Sequence, residues 1–140
     1  MFEKIKNVLE MNYGLDVKSV TQVVGGWAAL AFVIETYNTK YFLKLYDLKR
    51  SSSLTYTKYI DEYIPVLLQL TELKDNITIP ILTLNNKCCV KEKDYIYLLF
   101  EYIDGETVAE NKLSDNDILQ LTAIINKLHS AKINVTKNFP

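Results

Sequence analysis

The 140-residue sequence has little of several things that would place it quickly. It has two cysteines, one histidine and one tryptophan, and no excess of charge: sixteen basic residues stand against seventeen acidic ones, a net charge of -1. The cysteines, Cys88 and Cys89, are adjacent. On a strand their side chains would point to opposite faces, which argues against a disulfide. With no other Cys or His beside them they offer no metal-ligand spacing. The balanced charge, without a dense Lys/Arg cluster, speaks against a nucleic-acid surface. No apolar run approaches the ~18 residues of a membrane span, so no membrane partner is expected. The opening Met1-Phe2-Glu3-Lys4-Ile5-Lys6 is charged, unlike a secretion signal, and the expected location is cytoplasmic. The triplets Asn76-Ile77-Thr78 and Asn134-Val135-Thr136 are then chance matches to a glycosylation site. Neither an internal repeat nor a low-complexity segment is found.

What is present is an ordinary globular composition, 49% hydrophobic and 24% charged. A chain of this length can bury roughly 70% of its unfolded surface. Phe2, Ile5, Val8, Leu9 and Met11 recur near helical spacing, with Gly14 as a stop. Val17 to Val24 predicts a strand, broken by Gly25-Gly26, and Ala29 to Thr36 resumes it. Asn38-Thr39 turns the chain into Tyr41–Tyr46, giving three consecutive antiparallel strands. From Leu54 to Leu73 the period becomes helical, with Pro65 expected to kink or divide the helix. Ile79–Leu84, Asn85-Asn86 and Cys88–Val90 read as a hairpin. Tyr95–Ile103 is the most apolar strand and is expected centrally. Ser114 and Asp117 resemble a capping arrangement for a last helix carrying Ile118, Leu121, Ile124, Ile125 and Leu128. The expected fold class is α+β: a mostly antiparallel five-stranded sheet with helices flanking it, one on a face.

Four features carry chemistry. A glycine pair between strands, Gly25-Gly26, lets backbone N–H groups approach phosphate oxygens without a side chain in the way, although a plain tight hairpin needs the same residues. Strand alternation puts Phe42, Lys44 and Tyr46 on one face and Tyr41, Leu43 and Leu45 on the other. An ammonium in so apolar a strand needs an anionic partner, unless it reaches solvent at an edge. Kinases place a lysine on the third strand to meet nucleotide phosphates and a helix glutamate. The carboxylate here is Glu62 or Asp61, and the longer Glu62 reaches further. Finally, the strand end Leu98-Leu99-Phe100-Glu101-Tyr102-Ile103-Asp104-Gly105 can offer backbone groups to a purine edge, the Glu101 carbonyl as acceptor and the Ile103 N–H as donor.

In this order, Tyr13-Gly14-Leu15, Gly25-Gly26, Tyr41-Phe42-Leu43-Lys44, Ile79-Pro80, Phe100-Glu101-Tyr102-Ile103-Asp104-Gly105 and Leu128-His129 resemble the aminoglycoside phosphotransferase and choline kinase-like family, with its spectinomycin-type members nearest. The resemblance runs along most of the chain. It implies a protein-kinase-like N-terminal lobe over residues 1–103, and a hinge linker and first helix over residues 104–140. It further implies ATP or GTP with Mg2+, and transfer of the γ-phosphate to a hydroxyl of an aminoglycoside or similar small molecule, as in antibiotic resistance. Two departures stand out. Trp27-Ala28-Ala29 follows the glycines where the family often carries a polar residue. The family's His-x-Asp…Asn catalytic loop and later metal-binding Asp have no counterpart, since the single histidine, His129, precedes Ser130-Ala131-Lys132 and is expected to pack at a helix end. The expectation is therefore a lobe cut off before its catalytic residues and inactive alone. Its Mg2+ ligands and acceptor site would lie in the missing lobe, and its bare cleft or Asp104–Ile133 region would be open to self-association. The alternatives are a non-catalytic nucleotide-binding module and a protein-interaction domain.

Overall fold

The computed structural model describes residues 1–24, 28–105 and 112–133. Helix α1 (Phe2–Tyr13) is closed by Gly14 at φ 67° and ψ 25°, with its N–H on the Glu10 carbonyl. That left-handed cap is the conformation a residue without Cβ adopts freely, and it turns the chain abruptly into the sheet. Strands β1 (Val17–Val23), β2 (Leu30–Thr36) and β3 (Lys40–Asp47) follow as an antiparallel meander. Strands β4 (Val90–Glu92) and β5 (Tyr95–Glu101) complete one five-stranded sheet of order β1-β2-β3-β5-β4. The fold class expected from the sequence is the one observed.

Alternation with period two sorts the side chains as the β3 pattern predicts. Leu43 and Leu45, with Phe32, Ile34, Tyr97 and Leu99, face α1 through Ile5, Val8 and Leu9. Phe42 and Tyr46, with Ile96, Leu98 and Phe100, face the other way and meet Ile60 and Ile64. Those two isoleucines belong to α3 (Ile60–Leu67), which follows α2 (Ser51–Thr57). Helices thus cover both faces of the sheet, one more face than the sequence pattern called for.

The structure corrects several expectations. The helical stretch after Ser51 divides at Lys58-Tyr59, where Tyr59 has φ -115° and ψ 26°, while Pro65 lies inside α3. Thr55 and Thr57 bond back to the carbonyls of Ser51 and Ser53. Such back-bonding bends helices, and here it lies about two turns ahead of the proline. Ile79–Leu84 is not a strand. Pro80 supplies no N–H, Ile81 makes a single bond to the Leu99 carbonyl at 2.7 Å, and Asn86 takes φ 60° in a tight turn where Thr83 and Lys87 meet. The hairpin is instead β4–β5, and the central strand is β3, with β5 beside it.

The last helix, α4 (Asp115–Ser130), opens on the expected capping box. Ser114 Oγ accepts from Asp117 N–H at 3.1 Å, and Asp117 Oδ2 accepts from Ser114 N–H at 2.9 Å. These bonds hold the Asp117 carboxyl below its ordinary range. No residue of α4 is buried: Ile118, Leu119, Leu121, Ile125 and Leu128 are all exposed, and so is His129, which was expected to pack.

Candidate functional site

The face of the sheet that carries Lys44 is only partly covered by α3, and the uncovered part is a cleft of about 990 Å3. Its floor is Ala31 and Val33 of β2 and Phe42, Lys44 and Tyr46 of β3. Register explains why these share it: Ala31 pairs with Lys44 and Val33 with Phe42, so all point the same way. One end is formed by Val23, Val24, Ala28 and Ala29, with Tyr56 of α2; the other by Phe100, Glu101, Tyr102, Ile103 and Gly105, where β5 runs out.

Lys44 stands between the two ends, half-buried, with Nζ 5.4 Å from the Phe100 ring centroid. A cation at that distance from a ring face is attracted by its quadrupole. The expected ion pair with Glu62 is not formed, nor one with Asp61. Asp61 bonds instead to Lys91 of β4 at 2.5 Å. That bond, together with the charges of Asp61 and Glu62, raises the Lys91 ammonium above its ordinary pKa. Asp61 is therefore engaged at the β4 edge rather than at Lys44. Sequence spacing could not reveal this, because Lys91 lies thirty residues further on.

Glu101 and Ile103 both line the cleft, and Ile103 is 67% exposed. The Leu99 carbonyl takes the Ile81 N–H and so points away from β3. The two-residue alternation of an antiparallel ladder turns the Glu101 carbonyl the same way, away from β3. Gly25, Gly26 and Trp27 lie outside the described residues, as does the Asn134 triplet; the shoulders Val24 and Ala28 border the cleft.

A residue the sequence reasoning missed is Ser53. It is fully buried, and its Oγ donates to the Ala28 carbonyl at 2.5 Å, tying α2 to the start of β2. Cys88 and Cys89 are free and sit in a bend rather than a strand. Both border the same pocket beside Asp61 and Lys91, so the opposite-face expectation does not apply to them. Burial raises both thiols. Among the described residues no group of three or more His, Cys, Asp or Glu converges as a metal site requires, and no helix is long and apolar enough to cross a membrane.

No protein-family model and no curated protein matches the chain. Solved structures do. Spectinomycin phosphotransferase APH(9)-Ia in complex with ADP and spectinomycin is similar with a TM-score of 0.78 and 18% identity. The AMP-bound complex of the same protein is similar with a TM-score of 0.68 and 19% identity. In both, 96% of this chain and 39% of the other are covered, so the chain spans about two fifths of the length of these neighbours. The fold is that of a kinase-like N-terminal lobe, and the agreement is consistent with the resemblance carried by the chain's own residues.

Proposed function

We propose that this chain, having the fold of a kinase-like N-terminal lobe, is the nucleotide-binding part of a small-molecule kinase. The observation that carries the proposal is Lys44. It is a cation on an otherwise apolar cleft floor, and among the described residues none of the ion pairs includes it. Dehydrating an ammonium without a carboxylate beside it is costly, and a polyphosphate supplies the missing charge. The purine would lie toward the β5 end, between Val33, Phe42 and Phe100, with its amino edge at the Glu101 carbonyl and a ring nitrogen at the Ile103 N–H. The phosphates would then run past Lys44 toward Val24 and Ala28. A volume of about 990 Å3 is ample for this, within the range of ligand clefts. That the similar solved structures hold ADP and AMP supports the same reading.

In the reaction proposed for the whole protein, an acceptor hydroxyl oxygen bonds to the γ-phosphorus, the bridging β–γ P–O bond breaks, and ADP leaves while the hydroxyl proton passes to a base. ATP or GTP would serve. Catalysis of this kind is positioning plus charge stabilisation, to which Mg2+ contributes. Among the described residues no group of three or more His, Cys, Asp or Glu converges to hold that ion. The base and the acceptor site are proposed to come from a second lobe beyond residues 1–103 and the 104–140 linker. Glu62 remains a proposed partner of Lys44 only in a nucleotide-bound arrangement.

The test is binding. ATP should bind the chain with a dissociation constant in the millimolar range, about -4 kcal/mol, because purine burial on one side leaves much of the ring wet. The chain alone should turn over no ATP above a Lys44→Ala control. Affinity for adenosine equal to that for ATP would remove the phosphate role of Lys44. One observation favours the interaction-module reading instead: the apolar side chains Ile118, Leu119, Leu121, Ile125 and Leu128 left exposed on α4. Light scattering decides between a monodisperse monomer and a second copy of the chain seated there, with Ile125→Asp expected to dissociate such a dimer.

A further inference from the structure

Two of the hydroxyls in α2 satisfy themselves within the helix: Thr55 bonds to Ser51 and Thr57 to Ser53. Ser53 does not. Its Oγ reaches a carbonyl 25 residues away, on Ala28, and the side chain is fully enclosed. At 2.5 Å this is at the short end of O–H···O bonds. Ala28 and its neighbour Ala29 form one end wall of the cleft together with Tyr56, which lies three residues beyond Ser53 on the same helix. The bond therefore fixes two pieces of one wall, α2 and the start of β2, against each other. That wall lies on the far side of Lys44 from Ile103.

We infer that Ser53 is a positioning residue for this end of the cleft. By holding Ala28 against α2, it sets the wall along which a nucleotide's phosphates, rather than its base, are received. The inference rests on the proposed nucleotide site and deepens it: the helix after β3 acts on the phosphate end through one buried hydroxyl.

The test is the ratio of ATP to adenosine affinity, measured by NMR titration, in the unaltered chain, in Ser53→Ala and in Thr57→Val. Thr57→Val removes a buried hydroxyl from the same helix without touching Ala28. Loss of one such bond should weaken ATP about three- to ten-fold in Ser53→Ala, with adenosine unchanged. Amide exchange at Ala29 and Leu30 should rise while the β3–β5 core stays protected. Thr57→Val should leave the ratio as it was. Ser53→Cys, close in size but a weaker donor, should fall between, and it keeps the test available if Ser53→Ala does not fold. An unchanged ratio in the folded Ser53 variants, or an equal shift in Thr57→Val, overturns the inference. Failure of the unaltered chain to bind either ligand sinks the nucleotide reading itself, a different result.

Discussion

Replacing Lys44 with methionine separates what the cleft costs the fold from what it offers a ligand. The side chain is half-buried on β3, its Nζ over Phe100 at 5.4 Å, with Phe42 and Tyr46 on the same face. Methionine keeps most of the stem packing and loses the charge. The fold forfeits a cation–π attraction of about 0.5–1 kcal/mol and is relieved of a partly dehydrated ammonium, so the unfolding free energy from urea denaturation should change by less than about 1 kcal/mol in either direction. A phosphate charge about 4 Å from the ammonium is attracted by about 4 kcal/mol at an effective dielectric of about 20. The cleft is open on one side, and solvent screening reduces this to about 1–2 kcal/mol. ATP should then weaken about five- to thirty-fold, and adenosine less than two-fold, about 0.4 kcal/mol. The assay is paired titration with both ligands, alongside urea denaturation of the same samples. An equal loss for ATP and adenosine, with the fold intact, would refute the reasoning, since it would mean that Lys44 shapes the cleft rather than meeting phosphate.

Tyr97 is fully buried, and among the described residues its hydroxyl has no hydrogen-bond partner. Tyr97→Phe should be neutral or stabilising by up to about 1 kcal/mol at pH 8, and a loss larger than that in urea denaturation would reveal a partner. Burial pushes the phenol up to about 12. The native chain therefore holds this proton between about pH 10 and 12, where the unfolded chain releases it, and stability should fall as pH rises through that window, less so in the Phe variant. Gly14→Ala should cost about 1–2 kcal/mol, because φ is 67° there. The new Cβ would meet Leu84 at an ordinary 3.4 Å, so thermal unfolding should show a backbone penalty and no further packing loss.

The strand residues that make the cleft were legible because alternation is local. Phe42, Lys44 and Tyr46 fall on one face whatever their neighbours do, and the short turns forced β1, β2 and β3 into a meander. Gly14 and the Ser114–Asp117 box were legible for the same reason, since a cap is built from residues within a few positions. What escaped depends on distant partners. The sequence offered Asp61 and Glu62 as alternatives for Lys44, and Lys91 on a later strand took Asp61. Ile79–Leu84 had the composition of a strand, but a proline at position 80 and a single bond to Leu99 leave it as an extended strap along the sheet edge. Ser53 stands in a run of three serines just ahead of the helical period that begins at Leu54, and only the fold brings Ala28 to it. No pattern within α1 could say that it covers the face opposite α3.

The central claim is that the Lys44 face is a nucleotide site, and the most direct measurement is an amide-resolved NMR titration of the chain with ATP. The account predicts fast-exchange shifts that saturate in the millimolar range and cluster at Val24, Ala28, Lys44, Glu101 and Ile103. Adenosine should reproduce those at Glu101 and Ile103 and spare those at Val24 and Ala28. Shifts confined to residues away from the cleft, such as α4 or the β4 edge around Lys91, would contradict it.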